Sequence, residues 1–125
     1  MSPPNQASDL LSLAFRDLKS AAILAEAQQP QMEAAGFHLQ QAAEKALKAW
    51  LTLHQIAYPR THDLSLLLGL LEDAGYSISP FWTLLELNPF AVQFRYELTG
   101  EGISGFQRLA PTVETLLQHV QSLIC

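Results

Sequence analysis

Apolar residues recur at helical spacing through most of the chain, and the most continuous pattern lies between residues 36 and 53. This stretch is rich in Ala, Leu, Lys, Glu and Gln, which are strong helix formers. Because apolar residues occupy much of its circumference, neighbouring helices must cover it on more than one side. We therefore predict a central helix. Its main apolar stripe contains Leu39, Ala43, Ala46, Trp50 and Leu53, and its polar strip, expected to face solvent, contains Gln41, Glu44, Lys45 and Lys48.

The first two helices are predicted from the apolar pattern and from the residues that interrupt it. One helix should run from Ser8, as its N-cap, to Ala27, after a frayed segment of residues 1–7. Pro30 suits the first turn of the next helix, which should continue to His54. Because the link between them is very short, the two helices should pack as an antiparallel hairpin.

Capping residues, proline and glycine divide the next part of the chain. Thr61 is predicted to cap a third helix, which Gly75 should end in the left-handed conformation. Ser79-Pro80 is typical of a helix start and predicts a fourth helix. Asn88-Pro89 should interrupt or kink this fourth helix.

The last part of the chain returns to a helical pattern twice. The pattern resumes over residues 90–96, and residues 97–105, which include three glycines, should form a loop. A clean apolar stripe then runs from Phe106 towards the C-terminus, where Pro111 either kinks the last helix or marks its start. No stretch alternates like a strand beside a hairpin signal. The predicted fold is an all-α, up-and-down bundle of four to five helices in a single domain over residues 1–125.

The composition of the chain favours a globular domain whose surface is partly covered. Of the 125 residues, 49% are apolar and 15% are charged, with a formal net charge of −5. The acidic balance argues against a protein whose main role is to grip duplex nucleic acid. Trp50 and Trp82 are expected to anchor the core or an interface. A two-fold homodimer would cover apolar surface left by the aromatic residues of the second half, namely Phe81, Trp82, Phe90, Phe94 and Phe106.

Several classes of site are not indicated by the sequence. Cys125 is the single cysteine, so neither an intramolecular disulfide nor a thiolate metal cluster can form. The four histidines show no recognised metal spacing, and no cofactor-binding glycine motif is present. The first ten residues do not resemble a signal peptide, and no apolar run is long enough to span a membrane. We expect a cytoplasmic protein with no metal, no cofactor and no membrane segment.

Two short stretches could bind an anion. Residues 60–63 combine Arg60, His62 and Asp63 just before a predicted helix, where free backbone N–H groups favour negative charge. The alternative is that these residues only cap the helix and pack on the preceding loop. Arg95-Tyr96 could bind a phosphate or carboxylate, or Arg95 could pair inside the bundle with Glu44 or Asp63.

Three stretches together resemble the HEPN domain family: FHLQQAAEKALKA at residues 37–49, THDL at 61–64 and NPFAVQFRY at 88–96. The resemblance implies a bundle of four to five helices that usually forms a homodimer. Small bacterial members of this family typically work with a separate minimal nucleotidyltransferase, often as a toxin–antitoxin pair. Many members are metal-independent ribonucleases, and others are regarded as subunits that bind a nucleotide or a substrate.

The ribonuclease branch of the family carries an Arg and, after four to six intervening residues, a His, and no Arg of this chain satisfies that spacing. The resemblance therefore favours a dimeric binding subunit for a nucleotide or another substrate. The alternatives are a ribonuclease toxin, with His62 and Arg60 as its catalytic residues, and a ligand-free dimerisation module. The candidate ligand-binding residues are Gln41, Lys45, Lys48, Arg60, His62, Asp63, Arg95 and Tyr96.

Overall fold

The computed structural model describes residues 2–92 and 102–124, and the regular elements in these ranges are all helices. A 3-10 helix (Ser79–Leu87) separates the third and fourth of five α-helices. This architecture confirms the all-α bundle that the apolar periodicity predicts. The α-helices are α1 (Pro3–Ala25), α2 (Met32–Leu53), α3 (Leu64–Asp73), α4 (Pro89–Val92) and α5 (Gly102–Ile124).

Helix α2 is the centre of the bundle, because it packs against α1, α3, α4, α5 and the 3-10 helix. The small side chains along its apolar stripe let the neighbouring helices approach closely. Helices α1 and α2 form the predicted hairpin, and in their short link the Gln31 N–H donates to the Leu24 carbonyl at 3.0 Å. Of the predicted α2 stripe, Leu53 is half-buried, and four residues are at most 1% exposed: Leu39, Ala43, Ala46 and Trp50.

The aromatic residues of the second half contribute to the core more than the sequence predicts. Phe81 and Phe90 are 5% and 7% exposed, while Trp82 and Phe106 are half-buried. Phe94 lies outside the described residues. The large apolar side chains that are exposed in the described ranges are instead Leu13, Ile23, Leu66 and Leu123. None of the helices in those ranges is long and apolar enough to cross a membrane.

The N-terminus corrects one expectation. Residues 3–7 belong to α1 instead of fraying, and the side chain of Ser2, not that of Ser8, caps the helix by accepting from the Asn5 N–H at 3.3 Å. Proline is favoured in the first turn of a helix, so Ser2 followed by two prolines is itself a start signal. Helix α2 likewise begins at Met32, after Pro30, with Gln31 at its N-cap.

The region from α3 to the 3-10 helix differs from the prediction in its caps. Asp63 occupies the N-cap of α3, and the predicted cap, Thr61, accepts from the Asp63 N–H at 3.0 Å instead. Gly75 has a φ of +96°, as expected of a left-handed residue that follows a helix. Ser79 lies inside a 3-10 helix, whose N-cap position is Ile78 and has no side-chain cap.

The last helix is longer than predicted. Helix α5 begins at Gly102, so residues 102–105 are helical although their glycines suggested a loop. Pro111 lies within α5 and therefore does not mark its start. It is exposed, so the carbonyl that loses its helical donor lies on the outer side of the helix. The remaining residues of the predicted loop, 97–101, lie outside the described ranges.

Candidate functional site

The carboxylate of Glu44 lies at the centre of a hydrogen-bonded cluster between α2 and the segment before α3. Its Oε1 accepts from Gln40 Nε2 at 3.1 Å and from His62 Nδ1 at 3.0 Å, and its Oε2 accepts from Lys48 Nζ at 2.9 Å. Glu44 is only 4% exposed, so the prediction that it faces solvent is wrong. The physical reason is that His62 and Lys48 satisfy a charge that would otherwise be too costly to bury.

The hydrogen bonds to Glu44 keep its carboxylate ionised. Burial by itself raises the pKa of Glu44, but hydrogen bonds from Lys48, Gln40 and His62 outweigh burial and hold the pKa below its ordinary value. An ionised carboxylate can only accept, so Nδ1 of His62 must carry the hydrogen. The other ring nitrogen, Nε2, is then left for a ligand. Since the His62 side chain is 59% exposed, Glu44 presents an oriented imidazole to solvent.

Asp63 and Asn88 fix the start of α3 beside this cluster. Asp63 Oδ1 accepts from the Ser65 N–H at 2.9 Å, from Ser65 Oγ at 2.8 Å and from Asn88 Nδ2 at 3.1 Å. The hydrogen bond from the Ser65 side chain is the main reason that the pKa of Asp63 is lowered. Asn88 Oδ1 in turn accepts from the Leu64 N–H at 3.0 Å. Asp63 therefore acts as a helix cap, which is the structural alternative that the sequence left open.

A surface groove of about 400 Å³ opens at this point and is lined by Thr61, His62, Asp63 and Asn88. Arg60 precedes these residues in the chain, is exposed, and makes no ion pair with any residue of the described ranges. Lys48 is paired with Glu44, whereas the guanidinium of Arg60 has no carboxylate of the described ranges bound to it.

Lys45 does not join the groove, although the sequence placed it with Lys48. Its Nζ binds Asp17 Oδ2 on α1, and Asp17 Oδ1 lies 2.9 Å from His38 Nδ1. Gln41 is closer to the site, because its Nε2 donates to the Oε1 of Gln40 at 2.7 Å. The polar strip of α2 is thus divided between two clusters, one centred on Asp17 and one centred on Glu44.

The candidate residues named from the sequence do not include three residues of the site, namely Glu44, Gln40 and Asn88. Gln40 is fully buried, and its Nε2 donates to Glu44 Oε1 and to the His62 carbonyl at 3.2 Å. A polar residue beside the apolar stripe of a central helix was the available signal. Asn88 was interpreted only as part of a helix break, although asparagine is a frequent capping residue.

Of the remaining predicted site residues, Lys48 lies in the described ranges. Arg95 and Tyr96 lie outside the described residues. The predicted pairing of Arg95 with Glu44 or Asp63 therefore also falls outside them. Lys48 is 15% exposed at its side chain and lies 5.8 Å from the centre of the Tyr58 ring. In the described part of the chain, no three His, Cys, Asp or Glu side chains are grouped so that they could hold a metal ion.

One known protein family matches nearly the whole chain. The family model of the HEPN domain matches residues 7–124. The chain belongs to the HEPN domain family. Comparisons with curated proteins and with solved structures find no match. In this HEPN domain the Glu44–His62 contact joins two of the three stretches that carry the resemblance, and Asn88 supplies a contact from the third.

Proposed function

We propose that this HEPN domain is a dimeric binding subunit that works with a minimal nucleotidyltransferase, as part of a toxin–antitoxin-like system. A phosphate of a nucleotide, or of another substrate of the transferase, would bind in the groove at His62. Membership of the HEPN family supports the partnership, because small members of the family typically work in this way. The observation that carries the proposal for the site is the exposed His62 ring, held by buried Glu44 at the groove.

The distribution of charge identifies the residues that would bind the phosphate. Lys45 and Lys48 are already paired with Asp17 and Glu44, so their charges are largely balanced. Arg60 has no such partner in the described ranges and can present a fork of N–H donors to a phosphate. His62 would add a hydrogen bond from Nε2 when its ring is protonated.

Isothermal titration with nucleoside triphosphates tests the binding part of the proposal. We expect Arg60→Ala to weaken binding by about tenfold or more, because a charged hydrogen bond contributes roughly 1.5–3 kcal/mol. His62→Ala should also weaken binding. Arg16→Ala is a matched control, because Arg16 is exposed on α1 and distant in the chain from the groove. The absence of heat with every nucleotide, alone and with the partner protein, would remove nucleotides from the proposal.

The partnership has a separate test. The open reading frame beside this gene should encode a short nucleotidyltransferase, and the two proteins should elute together after co-expression. A neighbour of another class, or separate elution of the two proteins, would contradict the partnership without affecting the site.

A metal-independent ribonuclease is the second candidate, and the Glu44–His62 pair favours it. With its Nδ1 hydrogen held by Glu44, His62 could take the proton of a 2′-hydroxyl at Nε2 while that oxygen attacks the adjacent phosphorus. The bond from phosphorus to the 5′-oxygen then breaks, and the protonated His62 or water gives a proton to that oxygen, which leaves a 2′,3′-cyclic phosphate and a 5′-hydroxyl. Arg60 would stabilise the charge that develops on the phosphorane. This chain lacks the Arg-to-His spacing of the ribonuclease branch, so the candidate rests on the local geometry.

RNA integrity after expression in bacteria distinguishes the two candidates. A ribonuclease should degrade RNA and slow growth, and both effects should be lost in His62→Ala and strongly reduced in Glu44→Gln. Arg16→Ala should behave as the unaltered protein does. Intact RNA and normal growth with the unaltered protein would exclude this candidate.

A further inference from the structure

A second groove lies on another part of the bundle, between the C-terminal half of α1 and the first half of α5. Its volume is about 390 Å³. Leu18, Ala22, Phe106 and Ala110 are among the apolar residues that line it. The alanines leave space that larger side chains would fill, so the groove has room for an apolar side chain from outside.

The charged groups at this groove are acidic. Glu26, the C-cap residue of α1, and Glu114 on α5 line it, and neither makes an ion pair with a residue of the described ranges. Arg108, the nearest cation along α5, binds the carboxylate of Glu86 through two nitrogens at 2.6 and 2.9 Å. The groove therefore combines an apolar lining with two carboxylates that no cation of the described ranges pairs with.

The backbone of α5 adds a further acceptor. Pro111 has no N–H group, so the helical hydrogen bond that would end on the carbonyl of Gln107 is missing. Both residues line the groove. The two carboxylates and this carbonyl are acceptors, which suit an occupant that brings N–H donors and positive charge.

The apolar surface extends beyond the groove itself. Ile23 is 61% exposed in the last turn of α1 and precedes Glu26, the C-cap residue, by three positions. An occupant that covers Ile23 as well as the groove must be larger than a single small molecule. A net charge of −5 on the chain would also favour the approach of a basic partner.

We propose that this groove is a docking site for a basic, amphipathic segment of a partner protein. One apolar side chain of the segment fills the space beside Ala22 and Ala110. Lysine or arginine side chains on either side of it pair with Glu26 and Glu114. The site is separate from the groove at His62, because no residue lines both: this one is formed mainly by α1 and α5, and the other by Thr61, His62, Asp63 and Asn88.

Fluorescence anisotropy with a labelled amphipathic peptide of leucine and lysine tests the proposal. We expect the peptide to bind, and the double variant Glu26→Gln/Glu114→Gln to weaken binding by about tenfold or more through loss of two charge pairs. A peptide with glutamate in place of lysine should not bind. Ala22→Phe should abolish binding of the lysine peptide by filling the groove, while circular dichroism and the melting temperature establish that the variant is folded.

The matched control is Glu72→Gln/Asp73→Asn, which removes the same number of charges from exposed positions on α3. Binding should be unchanged in this variant. Equal weakening in both double variants would mean that the peptide senses only the overall charge, and the proposal would be wrong. A change of oligomeric state in Ala22→Phe would also overturn it, because the groove would then be covered by a second copy of the chain.

Discussion

Single residues decide how the site is built, and Glu44 is the most important of them. Its carboxylate binds groups from two separate parts of the chain, α2 and the segment before α3. It therefore holds the His62 ring against the bundle and determines which ring nitrogen faces a ligand. Any change at Glu44 should affect both the stability of the domain and the properties of the groove.

Acidification should destabilise the domain through Glu44. The pKa of this carboxyl is lower in the folded than in the unfolded state, so its contribution to the free energy of unfolding is complete above the ordinary pKa of 4.5 and is lost as the pH falls through the folded value. Urea unfolding at a series of pH values should show a shallower acid decline for Glu44→Gln than for the unaltered protein. Part of the decline of stability with acid should persist in Glu44→Gln, because the pKa of Asp63 is also lowered. Identical slopes would contradict this role of Glu44.

Two glycines should respond in opposite ways to alanine. A Cβ atom added at Gly36 would lie 2.5 Å from Cε1 of Phe90, whose ring is 7% exposed. Gly36→Ala should therefore reduce the free energy of unfolding by about 1–3 kcal/mol, as overpacked cores do. Gly69→Ala is the control: outside the local backbone of α3, no atom of the described residues lies within 4 Å of its added Cβ. It should stabilise α3 by roughly 0.5–1 kcal/mol. Chemical unfolding of both variants measures the difference, and a stabilised Gly36→Ala would mean that the Phe90 ring moves freely.

At the scale of elements, α2 carries the core and the site on adjacent residues. Leu47 faces the core, and Lys48 is paired with a buried carboxylate at the edge of the site. The same helix therefore cannot be altered at the site without some effect on stability. This coupling follows from the central position of α2, which neighbouring elements cover on several sides.

Alanine substitutions along α2 should separate the contribution of the core to stability from that of the Glu44 cluster. Leu47→Ala should cost about 2–5 kcal/mol, as large-to-small core changes do. Lys48→Ala should cost roughly 1–3 kcal/mol, because it leaves a buried carboxylate short of a donor. If Lys48 were simply exposed, as the sequence suggested, the cost would be below ~0.5 kcal/mol. Lys19→Ala, on the exposed face of α1, is the control and should show such a small effect. Urea melts rank the three variants, and equal values for Lys48 and Lys19 would contradict the role of the Glu44 pair.

The whole molecule is expected to be a homodimer, and this remains a prediction. Exposed Leu13, Leu66 and Leu123, together with a charged fraction of only 15%, leave apolar surface that a second copy could cover. The HEPN family, whose members usually form homodimers, favours the same association. The dimer should bury on the order of 1,200–2,000 Å² in total, the range of stable specific interfaces.

Light scattering at micromolar concentration, followed by a structure of the assembly, tests the dimer. We expect the stretches at residues 60–63 and 95–96 of both copies to approach a shared cleft. A monomer in solution would refute the association. A dimer with these stretches far from the shared surface would keep the association but remove the composite site.

Much of the fold could be predicted from the sequence because helical spacing of apolar residues is a local property. Most residues of the α2 stripe, such as Trp50, and most of the final stripe of α5 are buried as predicted, whereas Leu53 is half-buried and Leu123 is 39% exposed. The errors lie mostly at helix ends, where capping choices compete. Ser2 and Ser8 are both suitable N-caps, and only the two prolines after Ser2 distinguish them.

The sequence by itself determined the helical class of the fold, the central helix and the family, because these depend on periodicity and on short motifs. Only the tertiary structure decided which charges pair with each other. Lys45 and Lys48 occupy the same strip of one helix, yet one binds Asp17 of α1 and the other binds Glu44 beside His62. Ion pairs form between groups that are distant in the chain, and their partners depend on how the helices pack. For the same physical reason, burial of Glu44 and orientation of His62 could not be deduced from sequence spacing alone.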